Sequence, residues 1–147
     1  MLSPAHKPVL LSVAVLLLLG ILPACSTSAP ASQLQMMSMD KMPPEVQAAP
    51  AVVQQAYQFA AANPDVMKGI PCYCGCGSIG HTSNYACYVQ GSDSQGRLSF
   101  DDHALGCSLC VDITQYAMRL LKQGKSVQEI KAYVDSSYGK YGTSNMP

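Results

Sequence analysis

The 147-residue chain has no tryptophan and only two phenylalanines, and its charge is low and balanced, with nine basic and nine acidic residues. Lysine and arginine form no basic stripe, which argues against a nucleic-acid-binding protein. The sequence also lacks repeats, a phosphate-binding glycine loop, a Ser-His-Asp combination and a defensible pair of catalytic carboxylates. We therefore expect a protein that is not an enzyme and has no nucleic-acid partner.

The N-terminus has the pattern of a bacterial lipoprotein signal. Lys7 precedes an uncharged apolar run from Val9 to Leu22, and Leu-Pro-Ala-Cys25 is similar to a lipobox. The run of about 17 residues is at the lower limit for spanning a bilayer. We expect residues 1–24 to be a signal peptide and Cys25 to carry the lipid. An uncleaved membrane helix and simple secretion are the alternatives.

Residues 25–44 have the composition of a flexible, Met-rich tether. Serine, alanine and proline dominate residues 26–31, and residues 35–42 contain four methionines. Thioethers are ligands for Cu(I), so this arm could pass copper to a site further along the chain. The alternative is that these adaptable side chains only help to cover the folded domain.

Residues 45–138 predict a small, mainly α, irregular domain in which three helices accompany a Cys-rich loop and a short β-hairpin. Apolar residues recur every three or four positions from Ala51 to Asn63, and Pro64 cannot continue that helix. Apolar and polar residues alternate between Tyr85 and Phe100, which predicts the hairpin.

Two further helices are predicted after the hairpin. The first follows His103 and has a strong apolar face ending near Lys122, with Gly124 as its C-terminal cap. Ser126-Val-Gln-Glu129 is a capping box that begins the last helix. That helix ends near Tyr138, which leaves residues 139–147 as a tail.

Six of the seven cysteines lie between residues 72 and 110. Alternate cysteines in Pro-Cys-Tyr-Cys-Gly-Cys can face one centre only on a folded-back loop, which proline and glycine permit. Residues three apart on a helix share a face, so the Cys-x-x-Cys pair can also reach one point. The predicted metal ligands are these sulfurs and two histidines, of which the second is the weaker candidate: Cys72, Cys74, Cys76, His81, Cys87, His103, Cys107 and Cys110.

Three interpretations of these residues stay open. Sulfur with imidazole suits Zn(II) or Cu(I), which is the interpretation we favour. Six cysteines in an exported domain could instead form three disulfides. The Cys107/Cys110 pair at a helix start could also exchange thiols and disulfides, although the strand that usually precedes such a pair is missing. Val111 stands where c-type haem attachment needs histidine, and the spacing fits neither familiar iron–sulfur pattern.

The hexapeptide Pro71–Cys76 resembles the signature of the PCYCGC-motif family of small bacterial lipoproteins. In that family it is followed by Gly-His, one cysteine, a further histidine and a Cys-x-x-Cys that begins a helix. The matching residues here are His81, Cys87, His103 and the pair Cys107/Cys110. The resemblance covers roughly residues 45–138 and implies a lipoprotein, but it carries no established activity.

Together these features predict a membrane-anchored, extracytoplasmic lipoprotein that holds Cu(I) or Zn(II) for sequestration or delivery. Its expected partners are the lipid bilayer through Cys25, the metal ion, and a protein that exchanges metal or redox equivalents with it.

Overall fold

The computed structural model describes residues 34–147, so the predicted signal peptide, Cys25 and the first part of the tether lie outside the described residues. The fold is mainly helical, with three longer helices and one antiparallel hairpin, as predicted. The helices are α1 (Pro44–Gln47), α2 (Ala51–Ala62), α3 (Pro64–Met67), α4 (His103–Gly106), α5 (Ser108–Lys122) and α6 (Val127–Tyr138). The strands are β1 (Val89–Ser92) and β2 (Leu98–Phe100), and 3-10 turns span Met39–Lys41, Cys76–Ile79, Asn84–Cys87 and Gly139–Tyr141.

The core forms where α2 packs against α5, with α6 covering the other side of α5. Tyr57 and Phe59 of α2 and Ile113 of α5 are fully buried, as are Ile130 and Val134 of α6. Each such side chain contributes about 1.5–3 kcal/mol of burial energy. These helices supply a rigid base for the cysteines, because α5 begins at the Cys-x-x-Cys pair.

Local signals account for the helix ends. The predicted capping box is present, with the Ser126 hydroxyl accepting from the Glu129 N–H and the Glu129 carboxylate accepting from the Ser126 N–H. Gly124 has φ +77° after α5, and the Lys125 N–H donates to the Leu120 carbonyl at 3.0 Å. Pro64 ends α2 as predicted but also begins α3, where its missing N–H costs nothing.

The hairpin is shorter than the one predicted between Tyr85 and Phe100. Val89 pairs with Phe100 and Ser92 with Leu98, with a bulge between Val89 and Gly91. Cys87 was expected on the hairpin, but it ends the 3-10 turn Asn84–Cys87 and lies before β1. The turn forms because Tyr88 is buried against Tyr57, with ring centroids 4.9 Å apart.

Both ends of the described chain pack on the domain. The Met37 N–H donates to the Gln58 carbonyl at 3.0 Å, and the Gln58 side-chain amide donates back to the Met37 carbonyl at 2.8 Å. Met42 is buried, and Met37 and Met39 are partly buried against the core. Residues 34–44 of the predicted tether therefore cover the domain. Within residues 34–147, no helix is long and apolar enough to cross a membrane.

Candidate metal centre

The hexapeptide folds back at a glycine. Gly75 has φ +83°, a left-handed conformation that strains any residue with a side chain, and it starts the 3-10 turn Cys76–Ile79. The sulfurs of Cys72 and Cys74 lie 3.4 Å apart before this turn. The reversal therefore gathers alternate thiols on a compact loop, as the Cys-x-Cys-x-Cys pattern predicts.

The first turn of α5 supplies the second pair of sulfurs. Cys107 is the N-cap residue and Cys110 lies in the first turn, so the two face the same region. A buried polar network holds Cys110 in place: its carbonyl accepts from the Asn84 amide at 3.3 Å and from the Thr114 hydroxyl at 3.1 Å. Tyr88 and Thr114 hydroxyls lie 2.8 Å apart behind them. The helix therefore presents Cys110 from a fixed backbone.

The loop and helix sulfurs converge. Cys110 Sγ lies 3.3 Å from Cys72 Sγ and 3.6 Å from Cys74 Sγ, and Cys76 Sγ lies 3.7 Å from Cys87 Sγ. All six cysteines of residues 34–147 are free thiols, whereas a disulfide requires an S–S distance of about 2.05 Å. The three disulfides of the alternative interpretation are thus not present in the described residues.

The donors form two adjacent groups, in each of which all ligand atoms lie within 4.8 Å of one another. The outer group, Cys74, His103, Cys107 and Cys110, has three half-buried members and one buried member. The inner group, Cys72, Cys76 and Cys87, is entirely buried. Either group could hold a metal ion.

The spacing within the groups is that of metal ligands. With Zn–S bonds of about 2.3 Å, neighbouring sulfurs of a tetrahedral site lie about 3.8 Å apart, and a sulfur and an imidazole nitrogen lie about 3.5 Å apart. The Cys76–Cys87 distance is 3.7 Å, the Cys74–Cys110 distance is 3.6 Å, and Cys74 Sγ lies 3.4 Å from His103 Nε2. Small shifts would therefore convert these contacts into the edges of a coordination shell.

The two predicted histidines occupy different positions. His103 contacts Cys74 and belongs to the outer group, whereas His81 belongs to neither group. His81 is 9% exposed, its Nε2 lies 3.5 Å from Asp101 Oδ2, and its ring meets the His103 ring edge to face at 5.2 Å. Asp101 Oδ1 also accepts from the His103 N–H at 2.9 Å. Asp101 therefore faces the His81 ring and fixes the backbone at His103, although only His103 reaches a sulfur.

The C-terminal segment fixes the hexapeptide through Asn145. Its side-chain oxygen accepts from the Cys72 N–H at 2.7 Å, and its N–H donates to the Cys72 carbonyl at 3.0 Å. Its side-chain amide also donates to Cys76 Sγ at 3.4 Å. Nearby, a Cβ on Gly142 would come within 2.8 Å of the Tyr73 carbonyl oxygen, so only glycine permits this approach. Residues 139–147, predicted as a tail, thus contact the site directly.

Hydrogen bonding and burial shift the pKa values of the clustered thiols in opposite directions. Hydrogen bonds from Cys110 and Cys87 lower the pKa of Cys72, because they stabilise its thiolate. The reciprocal hydrogen bonds with Cys72 and Cys87, together with burial, raise the pKa of Cys110. Burial is also the main reason that the pKa of Cys74 is raised. The lowered pKa of Cys72 favours its thiolate, which is the form in which cysteine binds a metal.

The structure thus brings together seven of the eight predicted ligands and leaves His81 beside them. Sequence patterns had favoured His81, which follows the hexapeptide in a polar loop, over His103. The contacts of Asn145 and of Asp101 were not found from the sequence. These contacts form only in the folded chain, so no sequence motif identifies the residues that make them.

The molecule is a small, mainly helical, cysteine-rich domain with Cys/His groups that could bind a metal. The chain belongs to the family described as "Protein of unknown function with PCYCGC motif", whose model matches residues 24–146. This confirms the family resemblance seen in the hexapeptide. No curated protein and no solved structure matches the chain.

Proposed function

We propose that this protein is a membrane-anchored, extracytoplasmic lipoprotein that binds a soft or borderline transition metal and passes it to another protein. The observation that carries the proposal is the convergence of six free cysteines and His103 in two groups with the spacing of metal ligands. Free thiols outside the cytoplasm tend to oxidise unless a metal or a redox partner protects them. A bound ion would supply that protection.

The donor set suits Zn(II) and Cu(I). Thiolates with one imidazole bind both ions, whereas magnesium and calcium prefer oxygen ligands. Burying several thiolates without a cation is costly, and a divalent or monovalent metal compensates their charge. The methionines give copper less support than expected from the sequence, because Met37, Met39 and Met42 pack against the core as apolar side chains. The sulfur groups alone therefore carry the proposal.

The exposure of the outer group favours delivery over a purely structural role. Cys74, His103 and Cys107 are half-buried, so an incoming thiol or imidazole from a partner protein could replace them one at a time. Four protein ligands fill a tetrahedral shell, whereas catalytic zinc sites keep one position for water. We accordingly propose a binding and transfer protein, not an enzyme.

The membrane anchor in this proposal rests on the sequence of residues 1–25, with its apolar run and lipobox-like Cys25. The packing of residues 34–42 on the domain leaves the stretch between Cys25 and Leu34 as the connection to the bilayer. An anchor of this kind would hold the metal site close to the membrane surface.

The test is elemental analysis with thiol titration of the full chain, expressed in a bacterial host and purified in detergent without oxygen. We expect at least one zinc or copper ion per chain, and six domain thiols that titrate after denaturation with a chelator. A protein with no metal would contradict the proposal, whether its cysteines are paired or reduced.

Two variants separate the metal site from the anchor. The double variant Cys74→Ser/Cys110→Ser should retain no metal, while incorporation of a labelled fatty acid stays unchanged. Cys25→Ser should show the reverse, with metal retained and labelling lost. Fatty-acid labelling of Cys25→Ser at the level of the unmodified chain would remove the lipid anchor from the proposal.

A further inference from the structure

The number of donors is the first clue to how the two groups work together. The outer group has four members, enough for one tetrahedral ion, and the inner group has three, one fewer than a second tetrahedral ion needs. His81 does not supply the missing donor, because it belongs to neither group. A second ion reaches four protein ligands only if the two ions share one of them.

Cys110 has the position of a shared ligand. It belongs to the outer group, yet its sulfur lies 3.3 Å from the inner sulfur of Cys72, the shortest of the S–S distances between the groups. A sulfur in contact with members of both groups can bridge two ions, since a thiolate has more than one lone pair.

Cys74 is the other sulfur that contacts both groups, at 3.4 Å from Cys72 and 3.6 Å from Cys110. It differs from Cys110 in two ways. Cys74 is half-buried and lies on the outer side next to His103, whereas Cys110 is fully buried on the first turn of α5. The buried position between the groups, with a carbonyl held by Asn84 and Thr114, favours Cys110 as the bridge.

We propose that the domain binds two metal ions in one thiolate-bridged cluster and that Cys110 is the ligand they share. One ion would be held by Cys74, His103, Cys107 and Cys110, and the other by Cys72, Cys76, Cys87 and Cys110. This inference rests on the proposed metal binding and adds the number of ions and their linkage. The half-buried outer ion should exchange readily, and the buried inner ion should exchange more slowly.

The first test is titration of the anaerobic full chain with Co(II), which replaces zinc in thiolate sites and has a paramagnetic signal. We expect binding to saturate at two ions. The electron paramagnetic resonance signal should rise to one equivalent and then fall towards two, because ions joined by a sulfur couple magnetically. A signal that keeps rising to two equivalents, or saturation at one ion, would overturn the bridge. No binding of Co(II), Zn(II) or Cu(I) would overturn the proposed function itself.

The second test uses matched cysteine-to-serine variants, with folding checked by circular dichroism. We expect Cys110→Ser to lose both zinc ions on gel filtration, whereas Cys107→Ser and Cys76→Ser should each keep one. Cys74→Ser, the rival bridge, should also keep one ion. Retention of one ion by Cys110→Ser, or loss of both by Cys74→Ser, would contradict the assignment. The titration of the unmodified chain does not depend on whether a variant folds.

Discussion

The outer and inner groups are built from the same residue type but are held in different ways. Two outer sulfurs come from the start of α5, whose backbone is fixed by the core, and the group is half-open to solvent. The inner sulfurs come from loops and 3-10 turns, yet they are fully buried. The comparison teaches that the start of a helix can position both a half-buried and a fully buried ligand, whereas the inner ligands depend on burial, Gly75 and Asn145 for their positions.

Removal of the metal should have the largest effect, and it should fall unequally on the two regions. Ligand present at about 1,000 times its dissociation constant stabilises a folded protein by about 4 kcal/mol. We expect chelation to lower the thermal midpoint and to increase hydrogen exchange in residues 71–87 and 139–147. The C-terminal half of α5 should stay protected, because Ala117 and Met118 are buried in the core and this half contains no ligand.

Hydrogen-exchange mass spectrometry with and without chelator checks this prediction. Equal deprotection of α2, α5 and the hexapeptide would show that the metal stabilises the whole fold, and the contrast between helix-held and loop-held ligands would be lost.

The two histidines give the next largest contrast. His103→Asn should weaken binding of the outer zinc ion by about 100-fold, because it removes a ligand nitrogen of the outer group. His81→Asn is the matched control, since its ring lies 5.2 Å from His103 but outside both groups. We expect it to change the affinity by less than about ten-fold.

Competition with a chromophoric chelator measures both dissociation constants. If the two variants weaken zinc binding equally, His81 is a ligand after all and the composition of the outer group is wrong.

Chemical labelling of the metal-free protein should separate the groups by rate. Cys74 and Cys107 are half-buried, whereas Cys72, Cys76 and Cys87 are fully buried and react only after local opening. An opening cost of 1.4 kcal/mol or more slows a reaction by about ten-fold. We expect a short pulse of N-ethylmaleimide to modify Cys74 and Cys107 first, as read by peptide mass spectrometry. If Cys76 or Cys87 is modified first, the assignment of the outer and inner groups is wrong.

Substitution of Asn145 should have the smallest effect on stability, and this effect should be confined to the inner group. Asn145→Ala removes an acceptor for the Cys72 N–H and a donor to Cys76, which we expect to cost about 1–2 kcal/mol of stability. Thr143→Ala, in the same segment but exposed, is the control. Denaturant unfolding measures the loss, and an equal loss in both variants would remove the role of Asn145.

The sequence predicted those parts of the site that depend on short-range order. Helix periodicity placed Cys107 and Cys110 on one turn, and the capping box at Ser126 fixed the start of α6. The alternation of cysteines around Gly75 predicted a folded-back loop. In each case the deciding contacts lie within a few residues of one another, so local patterns were sufficient.

The parts that the sequence did not predict depend on distant contacts. Cys87 lies in a turn because Tyr88 packs on Tyr57, and Asn145 reaches a loop more than 70 residues away. His103 reaches Cys74 because α4 follows the hairpin, a placement that single-residue preferences do not encode. Tertiary packing, and not the local sequence, therefore determined which candidate residues reach the site.

The hairpin between Cys87 and His103 has a practical consequence. Residues 93–97 at its tip are all exposed, and within the tip the Asp93 carboxylate accepts from the Gln95 and Arg97 N–H groups. Exposed tips of this kind accept insertions with little effect on the fold. A fluorescent reporter inserted there would sit on the strand pair between Cys87 and His103, and a change in its emission on addition of metal would report the proposed binding in living cells.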